Sequence, residues 1–257
     1  VSMSPGADER QMNFASYSKD GEQTGLVYGT SSDLSDGQNP PVTQTASQDG
    51  YLSNKVTLNN LQPGVTYYYQ VTGKEIESFT TDDDTSDFSF IFVGDPQIGS
   101  SNSAKDDSPE DMQTPEFLTA QSEAVRNDSF NCNYTLNRAF AKTGTSAIFI
   151  LSAGHQIQTN YEDAEDTRIS EIEYAGYLSP DVMKSVPVAT TVGNHDADNP
   201  NYTYHFNIAN MSDLGDNGYV GGDYYFTYGD ALFMILNTQD TNVSEHKQFI
   251  EETVAAN

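Results

Sequence analysis

The chain has 257 residues, enough for two domains, and carries 38 acidic against 11 basic side chains for a formal charge of −27. That balance excludes nucleic acid as a partner, because a phosphate backbone needs a basic surface; it suits a soluble extracellular protein and an acidic face that attracts calcium. No apolar run reaches the length of a membrane span, the only cysteine, Cys132, leaves no internal disulfide, and "VSMSPGADER" lacks the charged-then-apolar pattern of a secretory signal.

Residues 1–81 read as an all-β sandwich. "MNFASYS", "TGLVYGT", "NKVTLNNL" and "TYYYQVTG" are short β-rich runs separated by Gly, Pro, Asn and Asp clusters. In "VTLNNLQPGVTYYYQV" a strand reaches a Leu-x-Pro-Gly corner, and Tyr67 follows three residues after Gly64. This spacing resembles the tyrosine corner of fibronectin type III sandwiches, in which the phenol bonds back to the corner backbone. The acidic run "TTDDDTSD" (80–87) follows, and residues 82–87 read as a linker.

From residue 88 strands alternate with helical segments, which predicts a layered α/β domain over 88–257. "FSFIFVG" reads as a continuous buried strand. "TPEFLTAQSEAVRN" reads as a helix with Thr114 as N-cap and Pro115 at its first position, and "YTLNRAFAKTG" as a second helix ending at Gly144. "SAIFILSAG" and "VPVATTVGN" are further strands, with the helix "EDTRISEIEYAGYL" between them. "GGDYYFTYGDALFMILNT" reads as two strands joined at Gly229-Asp230, and "SEHKQFIEETVAA" as a helix capped by Ser244. A final helix with no strand after it reads as an α/β domain whose C-terminal part is missing.

Three of these strands end alike: a β-rich run, a glycine, then a polar residue able to bind metal. The residues are Asp95 in "GDPQIG", His155 in "GHQIQT", and Asn194 with His195 in "GNHDAD". Ligands of open α/β sheets bind at the carboxyl ends of the strands, so the three clusters are expected to meet.

Their order resembles that of the binuclear metallophosphoesterases, in particular purple-acid-phosphatase-like proteins with a fibronectin-like N-terminal domain. The resemblance implies two ions of iron, zinc or manganese roughly 3.5–4 Å apart that clamp a phosphate ester and lower the pKa of the attacking water. It implies Asp95 as a terminal ligand of the first metal, Asn194 as a ligand of the second, and His195 as the catalytic acid beside the phosphate. Gln97 stands where many members have His, and His155 stands at the position of the bridging Asp. The later lone His and Gly-His-x-His motifs are absent from these 257 residues. His246 precedes a helical run and is not assigned in their place. His205, in "NYTYHFN", is close enough in sequence to line the same mouth and contact substrate.

A bridging carboxylate places two oxygens on one carbon and a negative charge between two dications; a neutral imidazole does neither, and His155 can serve at most one ion. The expectation is a degenerate site holding one metal or none. Two functional readings stand: a secreted metal-dependent hydrolase of phosphate esters with an impaired centre, or a noncatalytic surface protein that reuses the phosphatase fold and assembles into homo-oligomers or filaments.

Overall fold

The computed structural model of the chain describes residues 1–48, 50–83, 86–104, 109–143, 147–159, 168–198 and 200–257. Its first part contains β1 (Ser2–Pro5), β2 (Met12–Lys19), β3 (Leu26–Gly29), β4 (Thr43–Ala46), β5 (Tyr51–Leu58), β6 (Thr66–Val71) and β7 (Glu77–Thr80). They pair antiparallel into two sheets, ordered β1-β2-β5-β4 and β3-β6-β7. Alternation sets the inward face: Tyr67, Tyr69 and Val71 of β6 are buried while Tyr68 and Gln70 are not. They meet Phe14, Val56 and Leu58 of the facing sheet in one shared core, which makes the pair of sheets a sandwich. Tyr67 closes the corner as its spacing predicts, its phenol oxygen accepting the Gln62 N–H at 2.9 Å.

Three of these strands carry no sequence signal. β4 (TQTA) is exposed along its whole length, and β1 buries Ser2 and Ser4 beside Met3, so neither shows apolar alternation. The four-residue β7 buries only Phe79 as an apolar anchor.

The second part holds β8 (Ser89–Val93), α1 (Pro109–Met112), α2 (Pro115–Thr143), β9 (Ala147–Ser152), α3 (Arg168–Tyr177), β10 (Val188–Thr190), α4 (Asn201–His205), β11 (Tyr224–Tyr228), β12 (Ala231–Ile235) and α5 (Val243–Ala256). β8, β9 and β10 form a parallel sheet in the order β10-β9-β8. On one face Ile150 and Val188 pack with Val125 and Leu136 of α2 and Tyr174 and Tyr177 of α3. On the other, Phe149 and Ala189 pack against the β11–β12 hairpin through Tyr224, Phe226 and Ile235. The hairpin turns at Gly229, whose φ of +53° suits glycine.

Several expectations are corrected. The two helices expected over 114–144 are one, Pro115–Thr143, because no Gly or Pro interrupts the run. Its start is as expected, with the Thr114 hydroxyl accepting the Phe117 N–H at 3.2 Å; the expected stop at Gly144 lies outside the described residues. β8 is not buried along its length: Ile91 is 6% exposed, but Phe90 and Phe92 are 38% and 66% exposed, because β8 has a neighbour on one side only in this sheet. The last helix begins at Val243 after Asn242, with Ser244 inside it. Of the expected linker, residues 84 and 85 lie outside the described residues, while Asp82 is tied in by the Gly64 N–H on its carbonyl at 3.0 Å.

The sandwich is bonded to the α/β part. The Ser53 hydroxyl donates to the Tyr204 carbonyl at 2.7 Å, the Tyr69 phenol to the Lys184 carbonyl at 2.8 Å, and the Asn207 amide to the Val56 carbonyl at 2.9 Å.

Candidate functional site

Because β8, β9 and β10 are parallel neighbours, their C-terminal ends lie on one edge of the sheet. Pairing continues into the loops: the Ala153 N–H reaches the Val93 carbonyl at 2.8 Å, and the Asp95 N–H reaches the Gly154 carbonyl at 3.2 Å. Gly154 and Gly193 make the loops meet. A Cβ on Gly193 would stand 2.3 Å from the His155 backbone nitrogen, and one on Gly154 would stand 2.9 Å from the Gly193 nitrogen. Asp95 and His155 both take positive φ, +59° and +56°, a region that few residues other than glycine enter but that aspartate and histidine tolerate better than most.

This brings three of the expected residues together. His155 Nδ1 lies 2.8 Å from Asp95 Oδ1, with the histidine 28% and the aspartate 63% exposed. The His155 and His195 rings stand edge to face, their centroids 4.8 Å apart. His195 Nδ1 is held by the Gln158 carbonyl, and His155 Nε2 is buried with no hydrogen-bond partner among the described residues. Asn194 sits on the same loop as His195 with an exposed side chain. Gln97 turns its amide to Gln158 Oε1 at 3.4 Å. A cavity of about 110 Å³ opens beside His195, lined also by Gln121, Gln158 and Thr159.

His205 does not join them, which corrects its expected role. Its ring stacks on Tyr17 of the sandwich at 4.7 Å, bonds Glu171 Oε2 at 3.0 Å, and lines a cavity of about 280 Å³ between the two parts of the molecule. The buried Tyr174 ring, 4.6 Å away, stands between it and the strand ends, since the Tyr174 phenol bonds Asp196. His246 also stays away: Asp223 Oδ2 at 2.8 Å and the Asp240 carbonyl at 3.0 Å occupy its two ring nitrogens.

Sequence reasoning missed two buried carboxyls under the site. Asp196, fully buried, accepts the Gly193 N–H at 3.0 Å, the Gln156 N–H at 3.3 Å and the Tyr174 phenol at 3.1 Å, so it ties the β9 and β10 loops together. Burial pushes its pKa up to about 6 against those bonds. Its only signal in the sequence is the Asp that closes "GNHD". Glu173 of α3 accepts the Thr159 N–H at 2.9 Å and hydroxyl at 2.6 Å, together with the Gln121 amide. Burial drives its pKa from 4.5 to about 8.

Glu173 therefore binds a proton more tightly in the folded than in the unfolded chain. Its contribution to stability is complete below the unfolded pKa of 4.5 and is lost as pH rises through about 8. Thermal melts are expected to give a midpoint roughly 10 °C higher at pH 5 than at pH 9. Lower self-repulsion acts in the same direction, so Glu173→Gln isolates the effect by flattening the profile between about pH 4.5 and 8. A variant profile parallel to the parent's would show that Glu173 is ionised throughout.

Residues 1–88 match the family model of the purple acid phosphatase N-terminal domain. The N-terminal sandwich is thus similar to the purple acid phosphatase N-terminal domain. Among solved structures, the purple acid phosphatase from yellow lupin (Lupinus luteus) seeds aligns with all of this chain at a TM-score of 0.60 and 14% identity. The likeness in overall fold runs the length of this chain, which spans 48% of that protein's length. A putative alpha amylase from Salmonella typhimurium (TM-score 0.18, 10% identity, 71% of this chain and 31% of that one) and a pullulanase from Bacillus acidopullulyticus (0.17, 11%, 72% and 28%) share no overall fold with it. No curated protein matches the chain.

The purple acid phosphatase fold implies a pair of metal ions, and the residues present do not fit one. Among the described residues no three His, Cys, Asp or Glu side chains converge as a metal-binding group. The bridging position holds an imidazole that is paired with the carboxylate expected as a ligand. The nearby Asp196 already accepts three hydrogen bonds in the interior.

Proposed function

We propose that this is an extracellular protein of the purple-acid-phosphatase-like metallophosphoesterase family, related to metal-dependent hydrolases of phosphate esters, whose two-metal centre is impaired at position 155. A sandwich over 1–81 and an α/β metallophosphoesterase domain from 88 onward are part of this reading. The observation that carries it is the 2.8 Å contact between His155 Nδ1 and Asp95 Oδ1. Two-metal hydrolysis needs both ions close together and their charge offset by the ligand between them. Here that ligand is an imidazole, which supplies no negative charge, and the adjacent carboxylate is engaged with it. The acidic composition and the family resemblance support a place outside the cell.

The test is turnover of 4-nitrophenyl phosphate with added Mn²⁺, Fe²⁺/Fe³⁺ or Zn²⁺. The full-length protein is expected to show no rate above a metal-only control. Turnover at the one-per-second scale common for enzymes would overturn the impaired-centre reading and leave an active phosphoesterase.

Phe92 favours a second reading, the noncatalytic surface protein. An exposed aromatic on a sheet edge is a template for pairing with another chain. On that reading light scattering rises when calcium offsets the acidic charge, and a monomer under all conditions counts against it.

A further inference from the structure

Helix α2 carries a surface that the two cores leave unused. Arg126, Phe130, Tyr134, Arg138 and Lys142 recur every four residues, and all five are exposed. At 3.6 residues per turn that spacing makes one ridge, roughly 24 Å long, turned away from the buried Val125, Ser129 and Leu136. Phe130 is 70% and Tyr134 57% exposed, at positions where a solvated helix ordinarily holds polar side chains. The Arg138 guanidinium stands 5.9 Å from the Tyr134 ring centroid. The ridge also reverses the charge of the chain: it holds three of the 11 basic residues of a protein with 38 acidic ones. The one carboxylate between Arg126 and Lys142 is that of Asp128, which accepts the Gly99 and Ser101 N–H groups at 2.9 and 3.2 Å and so is tied to the loop after β8. Among the described residues none of the three cations is in an ion pair. Exposed aromatics beside arginine are the chemistry of interface anchors.

We propose that this ridge docks a second copy of the chain, against an acidic face of that copy. Charge complementarity selects the occupant, since a ridge of cations and aromatics needs an acidic partner and every copy presents one. An anionic membrane is the poorer fit, because the molecule as a whole, at −27, is repelled by it. Ridge against ridge would set like charges together, so the contact is head-to-tail, and copies add on as rings or filaments. The inference rests on the assembling-protein reading and deepens it by naming the face; it uses neither Phe92 nor calcium.

The experiment is sedimentation velocity of the full-length protein without calcium, over a concentration series in about 0.15 M and about 1 M NaCl, where the screening length falls from about 8 to about 3 Å. In the lower salt the mass is expected to rise with concentration past the dimer, and in the higher salt association weakens at least about 10-fold. That direction is diagnostic, because screening between copies of charge −27 otherwise favours contact. The double variant Arg126→Glu with Arg138→Glu, and Phe130→Ser alone, are each expected to weaken association at least about 10-fold, with melting midpoints close to the parent's. Assembly that strengthens with salt, that survives these substitutions or that needs calcium overturns the inference and leaves the assembling-protein reading standing. A monomer with and without calcium overturns both. A monomer that binds phosphatidylserine vesicles, and loses them in the arginine double variant, overturns the second copy in favour of a membrane. The salt series is read on unmutated protein, so a substitution that fails to fold does not decide the outcome.

Discussion

Replacing His155 with aspartate is expected to raise phosphate-ester hydrolysis by the full-length protein at least about 100-fold above the metal-only control that the parent matches, the scale of one well-placed electrostatic group in a transition state. Aspartate restores two oxygens on one carbon between the expected ion positions. It also removes the imidazole that holds Asp95 Oδ1 at 2.8 Å, which frees that carboxylate for a metal. The backbone accepts the change, because φ is +56° at this position and aspartate tolerates the left-handed region. Initial rates on an aryl phosphate at matched metal concentration check the expectation, with metal content measured alongside. A variant that gains a second ion and stays silent would shift the cause to Gln97 or to the later histidine motifs. A variant that gains neither would show that position 155 is not what limits the centre.

The second large effect is expected at Gly193. Its φ is ordinary, so the need for glycine is purely steric. An alanine Cβ would lie 2.3 Å from the His155 nitrogen and 2.9 Å from its Cα, and backbone atoms cannot swing aside as a flexible side chain can. Gly193→Ala is therefore expected to cost about 3 kcal/mol, through forced separation of the β9 and β10 loops. The Asp196 bond to the Gly193 N–H, 3.0 Å in the parent, is strained by the same shift. Gly218→Ala is the control: its φ is +89° but nothing lies within 4 Å, so only backbone strain of about 1 kcal/mol is expected. Urea denaturation of the two variants separates the cases. Equal losses would mean that the loops can move apart at little cost.

Much of this architecture was legible in the sequence because it rests on short-range rules. The Leu-x-Pro-Gly corner with Tyr67 needs only local geometry and alternation. The strand-then-glycine pattern located Asp95, His155 and His195 because parallel strands bring their C-terminal ends together. What was not legible depends on partners distant in the chain. The exposure of Phe92 follows from β8 lying at the sheet edge, which its apolar run cannot reveal. His205 is four residues from Asn201 and near the site in sequence, yet Tyr17 of the sandwich claims its ring. Asp196 looked like one more loop residue, and only three donors converging from Gly193, Gln156 and Tyr174 show it as the buried tie between loops. The pairing of His155 with Asp95 could not be read either, since spacing gives proximity but not which atoms face each other.

The bonds from Ser53, Tyr69 and Asn207 bear on how the molecule comes apart. Each joins a side chain of one part to a main-chain carbonyl of the other, and Thr227 adds a direct backbone bond to Ala7 at 3.0 Å. Those carbonyls belong to Tyr204, Lys184 and Val56, so separating the two parts breaks bonds anchored in the main chain of each. The sandwich is thus a structural buttress, and the two parts are expected to melt together.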